Sequence, residues 1–115
     1  MALPKQLPQA GALEIEEKKL RSYLLNLKHK DGASKARFFR NRGFTPEAWE
    51  LFAQALRTHG ATQPVTETEQ TRHGQKFTVE CAVVTPDGRN PCILSVWIQT
   101  GDKPPRLVTA HPNLD

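Results

Sequence analysis

Histidine, lysine and arginine held close together can carry acid–base chemistry on a phosphate, and this chain gathers them in the stretch His29-Lys30-Asp31-Gly32-Ala33-Ser34-Lys35-Ala36-Arg37-Phe38-Phe39-Arg40. Metal-free cleavage of RNA needs such groups and no protein nucleophile. The neighbouring 2′-hydroxyl attacks, a base takes its proton, an acid protonates the leaving 5′-oxygen, and cations or donors surround the charged phosphorane. Histidine suits the proton steps because its reference pKa of about 6.5 keeps both forms populated near neutrality. Lysine and arginine suit the charge step. His29 is therefore the candidate for proton transfer. Lys35 and Arg37 are candidates for phosphate, and Lys30 and Arg40 extend the same basic surface.

The charge distribution points the same way. Between Glu16 and Arg42 there are nine Lys/Arg against three acids, a segment charge of +6 in a chain whose net charge is +4. A concentrated positive region favours a polyanionic partner through phosphate contacts and counterion release. A solvated helix face explains the same charges equally well.

The elements that must position these groups read as helices first and strands afterwards. Residues Met1 to Ala12 carry two prolines and Gly11 and read as a flexible arm, and 13–115 as one domain. Leu13 and Ile15 alternate with Glu14, as in a short edge strand. Leu20, Tyr23, Leu24 and Leu27 form one helical stripe. A second helix is expected over Ser34–Arg42, capped by Asp31 or Ser34 and closed by Gly43. A third starts at Thr45-Pro46-Glu47, with Phe44 and Trp49 spaced for a hydrophobic staple, and ends at Gly60. The helices thus occupy about 16–59.

From Pro64 the period falls to two. Strands are expected at Val65–Thr71, Phe77–Val83, Cys92–Gln99 and Arg106–His111, with turns at Arg72-His73-Gly74-Gln75 and Thr85-Pro86-Asp87-Gly88. The fold class is α+β, with about three N-terminal helices packed on a four-stranded antiparallel meander over 64–112. Cys92, Leu94, Val96 and Ile98 form the more apolar side of their strand, expected against the helices. The opposite side would then show Ser95 and Trp97, with Thr109 and His111, as a semi-polar groove. Arg106, Ser95, Thr109 and His111 are the possible sheet partners of His29, and Trp97 and Arg89 are further substrate-binding candidates.

The motifs Tyr23-Leu24-Leu25-Asn26, His29, Gly32, Lys35-Ala36, Phe38-Phe39, then Thr85-Pro86-Asp87-Gly88-Arg89 and Arg106-Leu107-Val108-Thr109-Ala110-His111-Pro112, resemble those of an uncharacterised family of small bacterial domains. The resemblance covers roughly residues 13 to 112. That family is in turn similar to the barnase, EndoU, colicin and RelE group of ribonuclease toxins. What this implies is a metal-independent ribonuclease toxin domain, with transfer RNA among its candidate targets and an antitoxin or immunity protein as partner. The resemblance implies catalytic roles for His29, Lys35, Arg106 and Thr109. The closing motif commonly has an aromatic where this chain has His111, which leaves His111 as a second acid/base group or a polar replacement.

Two other functions remain open on the sequence. One is a non-catalytic module that binds RNA or an acidic protein through the basic turn. The other is an antitoxin or immunity-type partner of a separate toxin. No cofactor is expected, and no metal, because two cysteines and scattered histidines lack ligand spacing. Cys81 and Cys92 lie on adjacent expected strands, and their pairing is left open. No apolar run is long enough to cross a membrane, and the N-terminus lacks the apolar core of a signal peptide, so the expected location is cytoplasmic.

Overall fold

The computed structural model describes residues 6–113. Helix α1 (Glu17–Lys19) runs into a π-helical segment (Leu20–Leu24), followed by α2 (Ala33–Asn41) and α3 (Trp49–Thr62). Strands β1 (Val65–Thr71), β2 (Gly74–Ala82), β3 (Cys92–Gln99) and β4 (Arg106–Pro112) form one antiparallel sheet in the order β1-β2-β3-β4. This is the α+β arrangement expected from the change of period at Pro64.

The first helix departs from the simple stripe, and the departure matters for function. Leu25 N–H donates to Leu20 O at 2.8 Å, a bond spanning five residues. The wider turn shifts the helix face by one position. Leu25 is therefore fully buried while Leu27, which a continuous α-helix would turn inward, is 44% exposed. Such π turns recur at functional sites because they re-aim the side chains around them. Tyr23 lies within this segment, half-buried against the core.

Between the first two helices, neither Asp31 nor Ser34 caps α2, and His29 instead ties together the turn before it. Its Nδ1 accepts the backbone N–H groups of Asp31 and Gly32, each at 3.0 Å, and no side-chain cap joins α2 at Gly32. Gly43 closes α2 with φ +105, the left-handed conformation that glycine takes without a Cβ clash. Thr45 Oγ1 accepts the Ala48 N–H at 3.2 Å, but regular helix starts only at Trp49. Phe44 stacks on Phe52, with ring centroids 4.5 Å apart.

Gly60 lies within α3 and does not end it, since the helix continues to Thr62. The reason is steric: a Cβ at Gly60 would lie 2.8 Å from the Trp97 ring and 2.9 Å from Leu13. Glycine lets the sheet approach the helix there.

The sheet packs on the helices with the opposite face from the one expected. Ile93, Ser95 and Trp97 are buried against the core, and the β4 residues paired with Ser95 and Trp97, Ala110 and Leu107, are buried too. Leu94 and Ile98 lie half-buried on the outer face. Apolarity alone misjudges the face because a polar network stabilises Ser95 inside. Trp97 Nε1–H donates to Ser95 Oγ at 2.8 Å, the Ser95 hydroxyl lies 2.9 Å from His59 Nδ1, and His59 Nε2 lies 2.9 Å from Cys81 O. Indole is donor-only and carbonyl acceptor-only, so the Ser95 hydroxyl donates to Nδ1 and Nε2–H donates to Cys81. Every polar atom in the chain of bonds has a partner, and His59 is held neutral. Burial, partly opposed by backbone carbonyls, pushes its pKa down.

The N-terminal segment is docked where it is described. Leu7 belongs to the core, and Gln9 Nε2 donates to Asp102 O at 3.1 Å. Residues 1–5 of the expected arm lie outside the described residues. Glu14 pairs in parallel with Arg106, with Leu107 N–H donating to Glu14 O at 2.9 Å, so the short edge segment around Leu13 and Ile15 runs beside β4. Among the described residues no helix is long and apolar enough to cross a membrane.

Candidate active site

Tyr23, in the π-helical segment, reaches the edge of the sheet. Its hydroxyl lies 2.6 Å from Lys35 Nζ on α2 and 3.1 Å from Thr109 Oγ1 on β4. Three elements separated widely in sequence therefore converge on one oxygen atom. A bulge in β4 assists: Trp97 pairs with Leu107 and Val96 with Thr109, leaving Val108 as the extra residue. Both Val108 and Thr109 then line a cleft of about 730 Å³, together with Lys18, Lys19, Tyr23 and His29, with Glu16 and Asp31 among its acidic groups. Strict alternation would have sent only one of the two strand residues there.

The electrostatics of the cleft centre on the phenol. Burial, the largest influence, raises the Tyr23 pKa, but the hydrogen bonds to Lys35 and Thr109 and the charges of Lys35 and Lys19 outweigh it, so the hydroxyl ionises below the ordinary tyrosine value. Lys35 Nζ sits 5.1 Å and Lys19 Nζ 5.6 Å from the ring centroid, within cation–π range. The His29 ring packs edge-on against the same tyrosine at 4.9 Å. A phenolate flanked by two ammonium groups can accept a proton, and the phenol it becomes can return one.

The two histidines differ in what their bonds permit. His29 Nδ1 accepts two backbone N–H groups, so the proton of the neutral ring is on Nε2, and protonating Nδ1 would break the turn. His29 is thus arranged as a fixed hydrogen-bond donor at the cleft wall. His111 Nδ1–H donates to Pro112 O at 3.2 Å, which leaves Nε2 as the ring nitrogen outside that bond.

Not all the expected residues meet. His29, Lys35 and Thr109 are brought together around Tyr23. Arg106, Thr109 and His111 share the outer face through their pairing with Ile98, Val96 and Leu94. His111 is two residues from Thr109, roughly 7 Å along the strand. Arg106 lines a separate hollow with Glu14 and Lys103. Ser95 and Trp97, expected on the groove, are instead fully buried in the core and present no surface to a ligand. Arg89 pairs with Asp87 at 3.1 Å in the turn that packs on Gly43, and Arg40 Nη1 donates to Leu25 O at 3.3 Å. Lys30 and Arg37 are exposed outside the cleft wall.

Tyr23, Lys18 and Lys19 are the residues that sequence reasoning passed over. Tyr23 sits in the apolar stripe of the first helix. Its one distinguishing signal is that it is the chain's single tyrosine, four residues after Lys19.

Similarity to known proteins is confined to fold and family. No curated protein matches the sequence. Among solved structures, a chain of the contact-dependent growth inhibition toxin–immunity protein complex from Klebsiella pneumoniae 342 superposes with a TM-score of 0.70 at 13% identity, over 86% of this chain and 98% of that one. At that identity the likeness is one of fold. With residues 6–114 matching the family described as Domain of unknown function (DUF6883), the chain belongs to that family.

Proposed function

We propose that the protein is a metal-independent ribonuclease of the toxin type, and that the cleft beside β4 is its active site. The observation that carries this reading is the Tyr23 hydroxyl, held between Lys35 and Thr109 with its pKa lowered, on the wall of a cleft that also presents Lys18 and Lys19. Ionised Tyr23 removes the proton of the RNA 2′-hydroxyl. The freed oxygen attacks the adjacent phosphorus, and the bond to the 5′-oxygen breaks, leaving a cyclic phosphate. His111 Nε2–H, on the same face of β4 as Thr109, protonates the leaving oxygen. Placing base and acid several ångströms apart suits groups that act on opposite sides of an in-line displacement.

Lys18 and Lys19 hold the phosphate, and His29 Nε2–H donates to a phosphoryl oxygen. Lys35 is not on the cleft wall, so its ammonium acts through Tyr23. Thr109 orients the phenol. The fold shared with a chain of a toxin–immunity complex supports a toxin or immunity context and, for this chain, a neutralising protein as partner.

The test is incubation of purified protein with cellular RNA, transfer RNA included, in excess EDTA. Fragments ending in cyclic phosphate are expected. RNA that stays intact at high protein concentration while binding in a salt-sensitive manner would replace this reading with that of a binding module.

A further inference from the structure

Alternation along β2 holds through Glu80: Phe77 and Val79 are buried, and the residues between are half-buried. Cys81 pairs with the fully buried Ile93, so its side chain belongs by parity in the core. It is exposed instead, with φ +131, a region that residues bearing a Cβ seldom enter. Beneath the strand, His59 rises from α3 and its Nε2–H donates to the Cys81 carbonyl at 2.9 Å. The backbone twist turns Cys81 outward.

On the outer side it meets Cys92, the half-buried partner of Ala82 one position along. The register sets Cys81 and Cys92 one step apart across the β2–β3 pair, and Asn113 Nδ2–H donates to Cys92 Sγ at 3.6 Å. A hairpin that followed its pleat would have put these two sulfurs on opposite faces.

We propose that Cys81 and Cys92 form a redox-active dithiol that takes a low-molecular-weight disulfide, of the glutathione disulfide class, as its oxidant and closes to an intramolecular disulfide between β2 and β3. Cys81, being exposed, reacts first. Its thiolate attacks one sulfur of the oxidant, the oxidant's S–S bond breaks, and the departing thiolate takes up the proton that Cys81 lost. Cys92 then attacks the Cys81 sulfur, the mixed disulfide breaks, and the second small thiol leaves with the Cys92 proton. Two protein thiols are oxidised and one external disulfide is reduced to two thiols. Burial and the neighbouring thiol push the Cys92 pKa up, which fits a resolving group that acts after Cys81.

The experiment treats the full folded chain with glutathione disulfide, quenches with acid, and reads intact mass and alkylatable thiols under denaturing conditions. Wild type is expected to lose two hydrogens and both of its alkylatable thiols. Cys92→Ser is expected to stop at a stable glutathione adduct on Cys81, and Cys81→Ser to leave Cys92 free. Wild type that keeps both thiols, that carries glutathione without closing the internal bond, or that oxidises only into intermolecular dimers overturns the proposal. The wild-type result decides even if a serine variant folds poorly.

Discussion

Lys35 Nζ donates to the Tyr23 hydroxyl at 2.6 Å, joining the first turn of α2 to the π-helical segment. A cation in the first turn of a helix is disfavoured by the helix dipole, so Lys35 sits at an intrinsic cost. The phenol supplies the compensating interaction, more so when ionised. If Tyr23 is the base, Tyr23→Phe should slow RNA cleavage by about 10²-fold or more. The hydroxyl is at a half-buried site where water can replace it, so stability should change by only about 1 kcal/mol. Full activity in a folded Tyr23→Phe variant removes Tyr23 from the mechanism.

Because Tyr23 is the chain's one tyrosine, its ionisation can be followed directly by phenolate absorbance. The midpoint is expected below the ordinary value of about 10. In Lys35→Met, both a hydrogen bond and a positive charge favouring the phenolate are lost, so the midpoint should rise. The alkaline-rising limb of the cleavage rate should move upward with it. Equal midpoints in the two proteins would show that Lys35 does not tune the phenol.

Gly32 tests the scaffold. A Cβ there would lie 2.7 Å from the Tyr23 carbonyl oxygen and 2.8 Å from its ring. The carbonyl belongs to the π turn and cannot rotate away as a side-chain end could. Gly32→Ala should therefore cost about 1–3 kcal/mol, the usual range for overpacking, and should displace the phenol. Urea denaturation measures the first effect and the tyrosine titration the second. Wild-type values for both would mean that the turn adapts freely.

His59 makes stability depend on pH in a definite direction. Its folded pKa is lowered while the unfolded chain keeps the ordinary histidine value, so below about pH 6.5 the unfolded state binds more protons. The contribution is fully present above that pH and is lost as pH falls toward the folded pKa, by at most about 1.4 kcal/mol per unit for this one proton. Denaturation midpoints measured through this window should fall on the acid side. A proton titration of folded His59 by NMR at or above the ordinary histidine value would contradict this assignment.

Local signals along the chain set the class and order of the elements. The change of period at Pro64, the glycine at Gly43 and the turn at Thr85-Pro86-Asp87-Gly88 are local features, and helix, turn and strand are set largely by local geometry and apolar spacing. The sequence also marked His29, Lys35 and Thr109, each of which contacts Tyr23. Tertiary structure decided which face of the sheet is inside, because Ser95 becomes acceptable in the core only when His59 arrives from α3 to accept its hydroxyl, with Trp97 of the same strand donating to it. It decided the register of the first helix as well: a π turn inserts one residue into the face, and no residue type announces that. Tyr23 reads as one more member of an apolar stripe, and only the tertiary contacts show its hydroxyl bonded to Lys35 and Thr109.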